Sequence, residues 1–184
     1  MVVGLMLFAA GMLAWTFVEY ALHGWMSHRF VTFATPLHQV HHRDPAAVFA
    51  IGAWLPTAAV LAFLLIHFEM TPAMVFVCGL VAGFAAYEAV HYRLHFARPA
   101  SRFETRLRTR HLAHHIAIDD RCLGVTSPLW DWMFGTEPSA AEMAACEARV
   151  RAIKPIAGRS NLGRVADATL SDLKRRVSLS GKAK

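Results

Sequence analysis

RHLAHHIAIDDRCLGVTSPLWDWMFGT, residues Arg110 to Thr136, opens with His111, His114 and His115. On a helix, positions i, i+3 and i+4 share one face, so these three imidazoles project together within one turn. Neutral imidazole is the commonest side-chain metal ligand, and three on one face make half of a metal cage. The same spacing recurs at His38, His41 and His42. Looser pairs stand at His23 with His28 and at His91 with His95. Ten of the eleven histidines therefore fall into four clusters, and only His67 stands apart.

Outward from these clusters the chain is apolar. At 184 residues it suggests one domain. Its hydrophobic share of 55% is high beside the roughly 45–50% usual for soluble proteins, and charged residues make up only 17%. Between Met1 and His28 the only formal charge is Glu19; between Ala46 and His91 there are only Glu69 and Glu88. Confining charge to a few segments is the habit of a membrane protein. Basic cytosolic segments then account for the net charge of +6 better than nucleic-acid binding does. Cys78, Cys122 and Cys146 have no paired spacing, which argues against a disulfide framework or a thiolate metal site.

Three apolar runs are candidate spans: Met1 to Leu22, Val48 to Phe68, and Pro72 to Val90. The first lacks a basic leader and runs straight into His23, so it reads as a retained span rather than a signal peptide. As a helix it reaches about 33 Å, enough to cross a hydrocarbon core of about 30 Å. The second and third runs, joined by HFEMT, should form a helical hairpin, with Pro72 in the first turn of the later helix. Apart from Arg29 and Arg43, every Lys and Arg lies at Arg93 or beyond. The positive-inside rule then sets the N-terminus outside and all four histidine clusters on the cytosolic face. The expected fold is an all-α integral membrane protein with about three transmembrane helices and a cytosolic, helical, histidine-rich di-metal cap. Residues 1–137 would form the membrane-embedded domain, and residues 138–184 a basic cytosolic tail that begins as an amphipathic helix, Ser139 to Lys154, stopped by Pro155.

Ten clustered histidines exceed the four ligands of a tetrahedral zinc site and suit two metal ions with about five nitrogens each. His67 reads as a hydrogen-bonded structural residue. The spacing of five between His23 and His28 turns the rings about 140° apart on an α-helix. Either the helix breaks near Gly24, or the two serve different ions. Glu19, four before His23, and Glu88, three before His91, are candidates for accepting the distal ring N–H of a ligand, as are Asp119, Asp120 and Asp131 less directly. Each could equally mark the interfacial end of a span.

WTFVEYALHGWMSH, LHQVHH, YEAVHYRLHF, HLAHH and the closing LGVTSPLWDWMFGT resemble the fatty acid hydroxylase and sterol desaturase superfamily, and within it the fatty acid 2-hydroxylases. The resemblance covers roughly Trp15 to Thr136. It implies a membrane-embedded oxygenase that uses two iron ions, O2 and two electrons to attack an unactivated C–H bond of a lipid chain; zinc could occupy the isolated protein. The implied metal ligands are His23, His28, His38, His41, His42, His91, His95, His111, His114 and His115, and no residue outside the di-metal centre is assigned a catalytic role. Several relatives carry a further histidine where this chain has Phe96. No HPGG haem motif of a cytochrome b5 domain is present, so an external donor, a ferredoxin or a cytochrome b5-like protein, is expected. The arginines from Arg98 to Arg110 are a candidate docking face for it, or a contact for anionic headgroups.

Two other functions compete. A carotenoid or sterol oxygenase would carry similar histidines, but the Trp130–Thr136 close is nearer the fatty acid side. A non-catalytic metal-binding membrane protein would usually hold its polar ligands near the bilayer midplane, whereas these clusters fall at the ends of spans.

Overall fold

The computed structural model describes residues 1–32, 34–48, 59–64, 67 and 71–157. Among them every regular element is helical: α1 (Val2–Tyr20), a π-helical continuation (Ala21–Arg29), α2 (Ala34–Arg43), α3 (Pro72–Phe96), α4 (Arg102–Ile116), α5 (Leu129–Phe134) and α6 (Ala140–Ala152).

Among the described residues two helices are long and apolar enough to cross a membrane, Val2–Arg29 with 28 residues and Pro72–Phe96 with 25. Both outrun the spans expected from the sequence, because the apolar run and the histidines that follow it form one continuous helix. Apolar side chains on the first lie open, with Leu5 70% and Leu13 60% exposed, where the core helix of a soluble protein would bury them. The middle run, Val48 to Phe68, falls largely outside the described residues; residues 59–64 of it are helical.

α1 and α3 lie against each other through glycines. A Cβ on Gly79 would stand 2.1 Å from the Phe8 carbonyl oxygen, and one on Gly11 would stand 2.2 Å from that of Phe76. Without side chains at these positions the backbones close up, a common way for helices to associate in lipid, where the hydrophobic effect offers no help. Further along the seam Trp15 packs on Phe84 with ring centroids 4.9 Å apart. α3 starts where Thr71 caps it, accepting from the Met74 N–H at 3.3 Å, with Pro72 in the first turn as expected.

Around the histidine-bearing ends of the long helices the chain folds into a cap. α4 starts at Ser101, whose hydroxyl accepts from the Glu104 N–H. Leu107 of α4 packs with Leu94 of α3 and Val125. On another side, Leu112 and Ala113 of α4 meet Cys146 and Val150 of α6. α6 begins at a capping box between Ser139 and Glu142, close to the helix expected from Ser139 to Lys154. It is fastened to the site helices: Arg108 donates to the Ile153 carbonyl, and the Ile156 N–H to that of His95 at 2.8 Å. The cysteines are all unpaired.

Candidate metal centre

Each long helix brings its histidines to one end, and α2 and α4 complete the set. The segment Ala21–Arg29 decides how His23 and His28 lie. It winds as a π-helix, whose i→i+5 hydrogen bonds stack residue i+5 close above residue i. Their ring centroids are 5.4 Å apart. Both sequence alternatives for this pair are thereby corrected: the helix does not break at Gly24, and the two rings are not directed to separate groups. The wider winding removes the angle that an α-helix would impose.

All ten clustered histidines come together, in two groups of five. His23, His28, His38, His42 and His114 form the first; His41, His91, His95, His111 and His115 form the second. Within each group the candidate ligand nitrogens lie within 4.8 Å of one another. Two ligands on opposite sides of a metal, each at about 2 Å, stand about 4 Å apart, so the spacing is near that of a filled cage. His67 belongs to neither group; its Nδ1 lies 3.0 Å from the Phe63 carbonyl oxygen.

Hydrogen bonding among the rings cannot account for this convergence. An imidazole nitrogen offers one N–H or one lone pair. His111 Nε2 nevertheless lies 2.8 Å from His95 Nε2 and 3.1 Å from the Nε2 atoms of both His91 and His115. In the first group His38 Nε2 lies 2.7 Å from His28 Nε2 and 2.8 Å from His42 Nε2. One proton cannot serve two or three such neighbours; a cation among the lone pairs can.

The outer ring atoms agree. Nδ1 of His23, His41 and His114 faces the carbonyl oxygens of Leu123, Ala47 and Arg121, at 2.5, 3.1 and 2.9 Å. A carbonyl only accepts, so the proton sits on Nδ1 and the Nε2 lone pair points inward, the arrangement of a metal-ligating histidine. His23 Nε2 is buried with no other partner. Burial, reinforced by repulsion from His28, pushes His42 down to about 4. Burial and neighbouring imidazoles push His38, His41, His111, His114 and His115 well down too. Their rings are neutral at physiological pH, with lone pairs free for a metal. The residues present therefore fit a pair of metal ions.

The carboxylates are placed otherwise than their spacing suggested. Glu19 does not accept from His23; it accepts from the backbone N–H groups of Val125 and Thr126, at 2.6 and 2.8 Å. His91 Nδ1 is buried without a hydrogen-bond partner, so Glu88 does not take that part either. Backbone carbonyls do the work expected of side chains, and spacing along a helix cannot reveal them. Asp131 is fully buried and accepts from the Leu123 and Gly124 N–H groups, the Thr136 hydroxyl and Arg110.

Arg110 lies between Asp131 and Glu137, at 2.9 and 2.6 Å, and its side chain is 4% exposed. Arg108 is likewise buried. The arginine face read from the sequence thus loses two of its five members, while Arg98, Arg102 and Arg106 stay exposed. Facing outward on α4 is settled by helical phase, which composition alone does not give.

Beside the first group lies a pocket of about 800 Å³, lined by Tyr20, Trp25, Phe30, Leu123 and Phe134 as well as His28, with Arg29, Asp120 and Arg121 also on its wall. It brings an apolar surface up to one of the converging rings.

Residues 8–136 match the family model described as fatty acid hydroxylase. The chain belongs to the fatty acid hydroxylase family. Its matched region ends at the last residue of the LGVTSPLWDWMFGT stretch. Among curated proteins, the dihydroceramide fatty acyl 2-hydroxylase FAH2 of Arabidopsis thaliana is 34% identical over 142 residues, which cover 71% of this chain and 60% of that protein. FAH1 of the same plant, also a dihydroceramide fatty acyl 2-hydroxylase, is 34% identical over 142 residues, covering 70% and 59%. A solved structure described as full-length scs7p, with only its hydroxylase domain visible, shares the fold. Its TM-score is 0.61 at 27% identity, over 74% of this chain and 56% of that one. The chain thus spans about 60% of the length of the curated relatives it matches. Family membership and the two long apolar helices together make this a membrane protein of the hydroxylase family, with histidine groups able to hold metal.

Proposed function

We propose that the chain is a membrane-bound monooxygenase that hydroxylates a fatty acyl chain, at the 2-position, with two irons held by the ten clustered histidines. The observation that carries this reading is the pair of adjoining five-imidazole groups in a family member. When bound, paired iron supplies reductive activation of O2: a C–H bond becomes C–OH, the second oxygen leaves as water, and two electrons with two protons enter from outside. The protein's own part is placement. Nδ1–H bonds to backbone carbonyls hold His23, His41 and His114 in the ligating tautomer. Burial of the second group keeps bulk water from the reacting centre, and the pocket at His28 offers an apolar path for an acyl chain. Lipid mass spectrometry of an expressing host tests the reading. Acyl chains heavier by one oxygen at carbon 2 are expected, and absent with His114→Ala. Desaturated chains, an oxidised sterol or carotenoid, or an unchanged profile would each overturn the substrate assignment.

The orientation belongs to the same proposal: three spans, the middle one within Val48 to Phe68, with the histidine face in the cytosol. α5 supports a membrane boundary here. Its Trp130 Nε1 donates to Thr16 of α1 at 2.9 Å, while Trp132 is 73% and Met133 54% exposed beside it. Apolar and aromatic side chains standing out at the end of a span suit an interfacial anchor. A cytosol-only fluorescent reporter fused after Lys184 should be bright; a stable, full-length, dark fusion would reverse the orientation.

Electrons would come from an acidic ferredoxin or a cytochrome b5-like protein docking at Arg98, Arg102 and Arg106. Arg102→Glu with Arg106→Glu should slow reduction by such a donor at least about tenfold at low salt, since complementary charge mainly raises the association rate. Turnover driven by a small chemical reductant should be spared. Equal loss with both reductants would mean damage to folding or membrane seating and would rule out docking there.

A further inference from the structure

Four consecutive backbone N–H groups, Leu123 to Thr126, are taken up by two buried carboxylates, one from the same stretch of chain and one from α1. Asp131 accepts from Leu123 at 2.7 Å and Gly124 at 3.0 Å. Glu19 accepts from Val125 at 2.6 Å and Thr126 at 2.8 Å, and from the Thr126 hydroxyl at 2.5 Å. Glu19 is 3% exposed and Asp131 not at all. The turn is tight: a Cβ on Gly124 would stand 2.1 Å from the Ser127 carbonyl oxygen, and Cys122 holds a φ of 56°.

With its N–H groups held, this loop offers its carbonyls to the metal site. Leu123 O accepts from His23 Nδ1, and Arg121 O from His114 Nδ1. Both rings belong to the first group. The second group takes nothing from the loop: His41 uses Ala47 O, and Nδ1 of His91, His111 and His115 is buried without a partner. Glu19 and His23 stand one turn apart on one helix and meet the loop at two points, so the carboxylate docks the loop and the ring receives its carbonyl.

We propose that Glu19 is a positioning residue for the first metal alone: by holding the Val125–Thr126 backbone against α1 it sets Leu123 O on His23 Nδ1, and so fixes that ring for ligation. The role is one of reach rather than charge. It rests on the reading that both groups bind metal.

Two substitutions separate reach from charge. Glu19→Gln keeps an oxygen for both N–H groups and can donate its amide to the Thr126 hydroxyl. Glu19→Asp keeps the charge but falls one methylene short. Titrations of the metal-free full chain with Co²⁺, followed by cobalt absorption, read each site; His28→Ala and His95→Ala assign the two signals. The Gln variant should bind two Co²⁺ as the native chain does. The Asp variant should bind at the first site about 10–100-fold more weakly and at the second unchanged, the usual cost of losing an outer-shell support.

Native affinity at both sites in the Asp variant overturns the proposal. So does retention in Asp with loss in Gln, which would make the role electrostatic, or equal weakening of both sites, which would make it one of folding. Thr126→Val, which removes a single hydroxyl bond, guards against a misfolded Asp variant. It should weaken only the first site, about fivefold, and no change there also counts against the proposal. A native chain that binds one Co²⁺ sinks the paired-metal reading and this proposal with it, whereas a native chain binding two beside an unaffected Asp variant sinks only the role of Glu19.

Discussion

Replacing His114 by Ala should leave a protein that holds about one metal ion in place of two and forms no detectable hydroxylated lipid. His114 is fully buried, its Nδ1 committed to Arg121 O and its Nε2 3.1 Å from His28 Nε2. No other described donor could swing into its place, because the neighbouring rings of the first group already point inward. Losing even an outer-shell partner of a metal ligand costs about 10–100-fold in affinity or activity, so losing the ligand itself should cost at least the upper end. The second group, with its own five rings, should stay loaded. His67→Ala is the matched control: His67 lies on an exposed position outside both groups and should change neither metal content nor turnover. Metal analysis beside lipid mass spectrometry decides the matter. Native metal content in His114→Ala would remove it from the ligand set.

Asp131→Ala should destabilise the fold more than any other single carboxylate removal in the cap, by about 3–5 kcal/mol, the usual cost of breaking a buried ion pair from one side. The carboxylate satisfies two backbone N–H groups and one guanidinium, all buried, and one part-buried hydroxyl. Its removal strands the Leu123 and Gly124 N–H groups and leaves Arg110 with Glu137 alone. Arg110→Ala should cost less, since Asp131 would keep three donors. Unfolding in detergent, with both variants stripped of metal so that binding does not mask the difference, gives the order. A loss below about 1 kcal/mol for Asp131→Ala would show that water reaches the site and takes over its bonds.

What the sequence determined by itself lies in its periodicities and its charge pattern. Long uncharged runs read as helices that cross a membrane, because hydrocarbon leaves few alternatives to a self-satisfied backbone. The i, i+3, i+4 histidines read as one-faced sets, because helical pitch is local. Ser139 and Pro155 bracketed α6 to within a residue or two at its start and about two at its end.

Tertiary structure alone decided how the four clusters divide. His41 and His42 are neighbours in sequence, yet belong to different groups, because adjacent positions on a helix point about 100° apart and each meets a different partner helix. The π-helical winding at Ala21–Arg29 was likewise hidden, since a one-residue change of pitch leaves no compositional mark. Glu19 and Asp131 were visible as isolated acids in apolar surroundings, but not what they bind. Their partners are backbone N–H groups, up to 107 positions away for Glu19, and every residue except proline has one. Side-chain chemistry is written in the sequence; which main-chain atoms it finds is a property of the fold.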